Sequence, residues 1–336
     1  MKELQKILGC PDVEINRRDD FGKTPLHWAA SNGGINITNA ILNMSDIDVN
    51  VQDIFGATPL HWAVSQGDLD VTKALLNTSN IDANYASKDG NTPLTIAASD
   101  GNLDIVTELL EIPDIDVNKR GEGGETPLLF ASEGGHLAVV QDLLENPFVD
   151  VNAGNERGWT PLHWAASNGN LDIVQALIEK IPIRINPINK YDETPLLLAA
   201  KNGHLDTMRA LLLNPDVNVN IPDKDDNSPL WWAASMGHLG LVRKLLNTPN
   251  IDVNAPNNEG RTALHAAALN GHLHVVRFLL QCPETKVTKA YGTEFSLMEE
   301  ARAKGEQEIA KLIRDADEIL RWARTSSCPV WSVKQD

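Results

Sequence analysis

Small and apolar residues along the chain fall at helical spacing, in blocks that all read alike. Counting a threonine as position 0, positions +2, +5, +6 and +9 are apolar or small, as in Leu162, Ala165, Ala166 and Gly169. At about 100° per residue these four share one face, and alanine there lets a neighbouring helix approach closely. The threonine hydroxyl serves the orphan N–H groups of the first turn, and the proline behind it sits where no donor is needed. Glycine at +9 ends this helix in the left-handed region of backbone space. Apolar positions resume at +11, +13, +17 and +18, as in Leu171, Ile173, Leu177 and Ile178, which predicts a second short helix folded back on the first. A polar loop closes the block.

The block is written nine times at a constant 34 residues, starting at Thr24, Thr58, Thr92, Thr126, Thr160, Thr194, Ser228, Thr262 and, in a worn copy, Ser296. A fixed period of this size marks units that cannot bury their apolar faces alone and must stack. The expected architecture is therefore all-α, a solenoid of stacked helix-turn-helix units joined by hairpin loops. The period sets the boundaries: a half repeat at residues 1–18, eight full units at 19–52, 53–86, 87–120, 121–154, 155–188, 189–222, 223–256 and 257–290, a C-terminal capping unit at 291–324 and a tail at 325–336. The half repeat rests on Leu4, Ile7 and Leu8, which take the second-helix positions +14, +17 and +18. The cap rests on Glu299, Glu300 and Arg302, charged where inner copies are apolar or aromatic. Asp192 and Asp226 replace the hairpin glycine of the other units, and aspartate tolerates a positive φ well enough for the hairpin to persist.

Composition narrows the function. Of 336 residues, 42% are hydrophobic and 22% charged, the balance of a folded chain rather than a disordered one. Asp plus Glu number 46 against 29 Lys plus Arg, a formal charge of −17. Residues 261–336 hold 11 basic and 10 acidic groups, so the acidity lies in the residues before them. Nucleic acid and anionic membranes reward clustered positive charge and are not expected as partners. No apolar run reaches the roughly 18–20 residues of a membrane span. Three cysteines, Cys10, Cys282 and Cys328, make no disulfide framework and point to a reducing compartment, the cytoplasm, with the nucleus also open.

The nine histidines invite a metal or catalytic reading, which their spacing does not support. His27, His61, His163 and His265 stand at +3, and His136, His204, His238 and His272 at +10. Stacked helices lie about 8–10 Å apart, whereas zinc needs each nitrogen within about 2.1 Å. One histidine per unit is expected to hydrogen-bond the neighbouring loops instead. Gly22-Lys23-Thr24 resembles the tail of a phosphate loop, but Arg17 stands where that motif needs glycine, and the same frame elsewhere reads Gly56-Ala57-Thr58. No catalytic residue, metal or cofactor is expected.

The full pattern, Asp-x-x-Gly-x-Thr-Pro-Leu-His-x-Ala-Ala-x-x-Gly-His, then Val and Leu-Leu pairs, then Asp-Val-Asn, resembles the ankyrin repeat over essentially residues 1–324. The period exceeds the family's usual length of about 33 by one residue. The extra residue falls after the Leu-Leu pair and predicts a longer loop there, with the helical stack unchanged. The resemblance implies a monomeric, non-catalytic scaffold that binds another protein or peptide in a concave groove lined by the first helices and the hairpin tips. The alternative is a regulatory ankyrin module of a larger protein such as a channel, kinase or adaptor. Carried onto this sequence, the groove has aromatics at +4 (Trp28, Trp62, Phe130, Trp164 and Trp232) and at the tips (Phe21, Phe55, Trp159 and Tyr191), with Trp231 beside Trp232. They form two clusters: Phe21, Trp28, Phe55 and Trp62, and Trp159, Trp164, Tyr191, Trp231 and Trp232. The second is read as the main partner site, its side chains facing solvent. The competing reading of the +4 aromatics is a packing ladder between units. Asn16, Asn50, Asn84, Asn118, Asn152, Asn186, Asn220 and Asn254 repeat every 34 residues before the hairpin, where side-chain hydrogen bonds would stiffen the turn. The resemblance also makes Asn50, Asn84, Asn118, Asn152 and Asn254 candidate substrates of the asparaginyl hydroxylase of the oxygen-sensing pathway.

Overall fold

The structure, a computed structural model, describes residues 14–288, 290 and 296–325, with side chains as far as Ile319. Leu4, Ile7 and Leu8 of the half repeat, the hairpin of the cap and all but the first residue of the tail lie outside the described residues. Among the described residues there are eighteen helices and no strand. The chain falls into two compact units, Met1–Ile185 and Asn186–Asp336.

The first unit holds five helix pairs: α1 (Pro25–Ser31) with α2 (Ile35–Leu42), α3 (Pro59–Ser65) with α4 (Leu69–Leu76), α5 (Pro93–Asp100) with α6 (Leu103–Leu110), α7 (Pro127–Gly134) with α8 (Leu137–Glu145), and α9 (Pro161–Asn168) with α10 (Leu171–Ile178). The second holds four: α11 (Pro195–Asn202) with α12 (Leu205–Leu211), α13 (Pro229–Ser235) with α14 (Leu239–Leu246), α15 (Ala263–Leu269) with α16 (Leu273–Gln281), and α17 (Leu297–Ala303) with the long α18 (Gln307–Thr325). Within each unit, first helices pack on the first helices of adjacent repeats and second helices on second helices. This is the stacked solenoid that the period requires.

Local chemistry sets each boundary. Thr126 has extended backbone, its hydroxyl accepts the N–H of Leu129, Pro127 opens the helix, and Gly135 closes α7 at φ 76°. The core follows the expected stripe on the first helix: Leu94, Ala97 and Ala98 are fully buried, as are Leu60, Ala63 and Val64. On the second helix the stripe is shifted. Positions +13, +14 and +17 are buried (Ile105, Val106 and Leu109), whereas Leu103 at +11 is exposed. At about 100° per residue, +13, +14 and +17 lie within one turn-face, and +11 and +18 fall roughly a quarter turn or more from its centre. Asp192 and Asp226 both adopt φ 59° in place of glycine, as the hairpin demands.

The asparagine lattice forms a ladder of two-point clasps. Asn50 Nδ2 donates to the carbonyl of Asn80 at 2.7 Å, and its Oδ1 accepts the N–H of Asp82 at 3.0 Å. Asn118 repeats this on Phe148 and Asp150 at 2.7 and 2.8 Å, and Asn220 on Asn250 and Asp252 at 2.7 and 2.9 Å. The amide side chain acts as a piece of backbone that pairs with the loop of the next repeat, which satisfies groups that a longer loop leaves open.

Candidate protein-interaction surface

Six hairpins are built around the side chain at position −5: Asp19, Asp53, Asn155, Asn189, Asp223 or Asn257. Asp53 Oδ1 accepts the N–H groups of Phe55 and Ala57, which curls the hairpin, and Oδ2 accepts the indole N–H of Trp62 at 3.0 Å. Asp19 does the same for Phe21, Lys23 and Trp28, the last at 2.9 Å. Burial works against the Asp19 carboxylate, but the N–H groups of Lys23, Trp28 and Phe21 outweigh it and hold the group below its ordinary range. Neighbouring hairpins are joined by a backbone hydrogen bond, Ile54 N–H to the carbonyl of Phe21. Lys23 bridges the two repeats, its ammonium 3.4 Å from the Trp62 ring centre and 4.9 Å from that of Trp28. The lysine of the Gly22-Lys23-Thr24 tripeptide therefore rests on two indoles of its own chain.

The outcome at the first cluster is an exposed apolar tip. Phe21 is 56% exposed, Phe55 57%, Trp28 48% and Ile54 42%, while Trp62 is half-buried. Ile54 was missed by a reading restricted to aromatics. Farther along the first unit, Phe130 is half-buried, and Trp159 stacks on Trp164 with ring centres 4.4 Å apart. The Trp164 indole N–H is buried without a hydrogen-bond partner. Its upstream residue is Asn155, whose Oδ1 holds the hairpin through Arg157 and Trp159 and whose Nδ2 donates to Glu125. An amide nitrogen cannot accept from an indole.

In the second unit, Tyr191 is the exposed aromatic, at 43%, with Lys190 and Lys224 at 5.2 and 4.9 Å from its ring centre. Trp232 donates to Asp223 Oδ2 at 2.7 Å and lies under Lys201, which also pairs with Glu193 at 2.9 Å. Trp231 meets Trp232 edge to face, and its own indole N–H is buried and unpaired. Trp159, Trp164, Trp231 and Trp232 are thus half-buried rather than solvent-facing. The signal that was available is the pairing of Asp at −5 with Trp at +4, found at Asp19/Trp28, Asp53/Trp62 and Asp223/Trp232.

Two of the +3 histidines, His27 and His61, join the first helix to the next hairpin. His27 Nδ1 accepts the N–H of Thr24 at 3.0 Å, so Nε2 carries the proton and donates to the carbonyl of Ala57 at 3.1 Å. His61 makes the same link to Asn91 at 3.0 Å. At +10, His272 Nε2 reaches the Ser235 carbonyl of the previous repeat at 2.8 Å. Burial pushes His27 and His61 below their ordinary range, and pushes His265 down to about 4. Among the described residues no cluster of His, Cys, Asp and Glu is arranged to hold a metal ion, and no helix is long and apolar enough to cross a membrane. Asn50, Asn84, Asn118, Asn152 and Asn254 all hold ladder positions, with amide nitrogen and oxygen both engaged.

Repeated helix pairs, a Thr-Pro-Leu-His cap that reaches the next hairpin and an asparagine clasp all point one way. The family model described as ankyrin repeats (three copies) matches residues 2–85, 79–155, 128–223 and 212–291. The chain belongs to the ankyrin-repeat family. A search of the curated proteins returned no match. Ankyrin repeats are in general protein–protein interaction modules and typically non-catalytic.

Proposed function

We propose that this ankyrin-repeat protein is a non-catalytic scaffold that takes a partner protein on the hairpin tips of its first two repeats. The observation that supports this reading is the run of Phe21, Ile54 and Phe55 on hydrogen-bonded neighbouring hairpins, with Trp28 on α1, each more than 40% exposed. Large exposed aromatics clustered in this way are the usual anchors of an interface. The flanking acids and the net charge of −17 favour a partner segment that is apolar with basic flanks. Tyr191 with Trp232 offers a second contact in the other unit. Trp62, Phe130, Trp159, Trp164 and Trp231 contribute ring edges and hold the surface in shape.

The test compares capture of binding proteins from extracts of the source cells by the wild type and by a Phe21→Ser/Phe55→Ser double variant. Anchors worth about 2 kcal/mol each should weaken a true partner by roughly thirtyfold or more per site. The melting temperature should stay within about 2 °C, because exposed side chains contribute little to folding. Equal recovery of every captured protein by the two forms would remove the tips from the interface.

A further inference from the structure

The second unit has a hollow, partly open to solvent, that the repeat pattern does not require. Position +4 carries Trp, Ile, Phe or Leu in the first seven repeats, but the eighth has Ala266. Where that side chain is cut back to a methyl group, a cavity of about 400 Å³ lies between α15 and α17, with Trp231, Arg261, Leu269, Asn270, Glu300 and Lys304 in its wall.

The wall is rich in donors. Trp231 Nε1 and Arg261 Nε are closed off from solvent and have no hydrogen-bond partner. Each such N–H destabilises the free protein and is relieved by an acceptor. Lys304 adds an exposed ammonium group at the rim, while the Asn270 amide is already committed to Ser235. Arg261 is only loosely held by the wall's one carboxylate, Glu300, at 3.9 Å, and pairs outward with Glu259 at 2.7 Å. Arg261 and Lys304 are balanced by Glu300 in the wall and Glu259 beside it, so what the wall holds in surplus is N–H donors rather than charge.

We propose that this cavity recognises a carboxylate side chain, aspartate or glutamate, that neighbours an apolar residue in a partner peptide. A carboxylate accepts from Trp231, Arg261 and Lys304 together, because its two oxygens carry enough lone pairs for all three donors. Leu269, Ala303 and the indole ring receive the apolar neighbour. A cationic group would face three donors and leave all of them unpaired. Reaching both buried N–H groups takes a side-chain rotation at Trp231 and Arg261, a common change at interfaces. The pocket lies in a different unit from the exposed tips of the first two repeats, so either reading stands if the other fails.

The test titrates the full chain with the blocked peptide acetyl-Ala-Leu-Asp-Leu-Ala-amide and with its asparagine counterpart. The indole N–H signals of the eight tryptophans are followed by NMR, and the Trp231 signal is identified by its loss in Trp231→Phe. The aspartate peptide should shift the Trp231 signal saturably, and the asparagine peptide should bind roughly tenfold more weakly for want of charge-assisted hydrogen bonds. Lys304→Gln, at an exposed position, should weaken the aspartate peptide severalfold. Ala266→Leu, which refills the hollow, should abolish binding. Equal affinity for the two peptides, an unmoved Trp231 signal, or tighter binding of inorganic phosphate than of the aspartate peptide would overturn the proposal.

Discussion

Trp62 and Trp164 hold the same place in their repeats, and the residue nine positions upstream separates their fates. Asp53 offers Trp62 a carboxylate oxygen, while Asn155 has in that place a donor, which goes to Glu125 and leaves the Trp164 indole unpaired. The contrast makes a sharp prediction. Asp53→Asn should leave the hairpin bonds of Oδ1 intact but orphan the Trp62 indole, lowering stability by about 1–3 kcal/mol in urea unfolding. A variant as stable as the wild type would mean that the indole N–H finds water instead. The identity of these aromatics was legible in the sequence, but their burial was not. A tryptophan on a polar stripe reads as exposed until its partner is known, and that partner stands across the boundary between hairpin and helix, outside any helical periodicity. Phe21 and Phe55, which sit beyond the helix stripe at the tips, are the exposed ones.

In the first two repeats the first helix begins with a threonine, a proline and a neutral histidine that acts as a staple to the next hairpin. The staple works only while Nδ1 is free to accept from the threonine N–H, so protonation breaks it. For His27, His61 and His265 the folded state lowers the affinity for a proton below the unfolded value, chiefly through burial, and at His265 the Arg261 guanidinium adds to it. The unfolded chain therefore takes up protons first as the pH falls. Stability from these groups is complete above about pH 6.5 and is lost progressively toward pH 4. For His265 alone the loss is on the order of 3 kcal/mol. Urea midpoints should fall between pH 7.5 and pH 5, and His265→Gln should flatten that slope. An unchanged slope in the variant would show that carboxylates carry the pH dependence. Helix starts and the role of the +3 histidines were readable because caps are local chemistry. The second helix's buried stripe was misplaced by one edge, since Leu171 and Ile178 are as apolar as Ile173 and only packing tells a centre from a flank.

Over the whole molecule, period and fold class could be read from the sequence, but the division after Ile185 could not, because no break in the 34-residue spacing accompanies it. A charge of −17 makes the folded chain repel itself, so raising the salt from roughly 20 to 500 mM should raise the melting temperature by a few degrees. A flat or falling response would show that local ion pairs such as Lys73–Glu108, at 2.8 Å, outweigh the general repulsion. The asparagine ladder couples neighbours within each unit. Asn118→Ala should cost about 1–3 kcal/mol and broaden the unfolding transition, as expected when one interface in a linear array is weakened. A sharp transition at an unchanged midpoint would mean that apolar packing alone sets the coupling. The ladder has one further consequence. Every clasp reaches 30 residues ahead for a carbonyl and 32 ahead for an N–H, as at Asn50, Asn118 and Asn220. It therefore measures the chain as well as fastening it. An insertion or deletion of one residue presents the wrong backbone atom to the amide, whereas a whole copied or excised repeat keeps every remaining clasp in phase. Such a protein is expected to tolerate a change of length by a whole repeat far better than a change by a single residue.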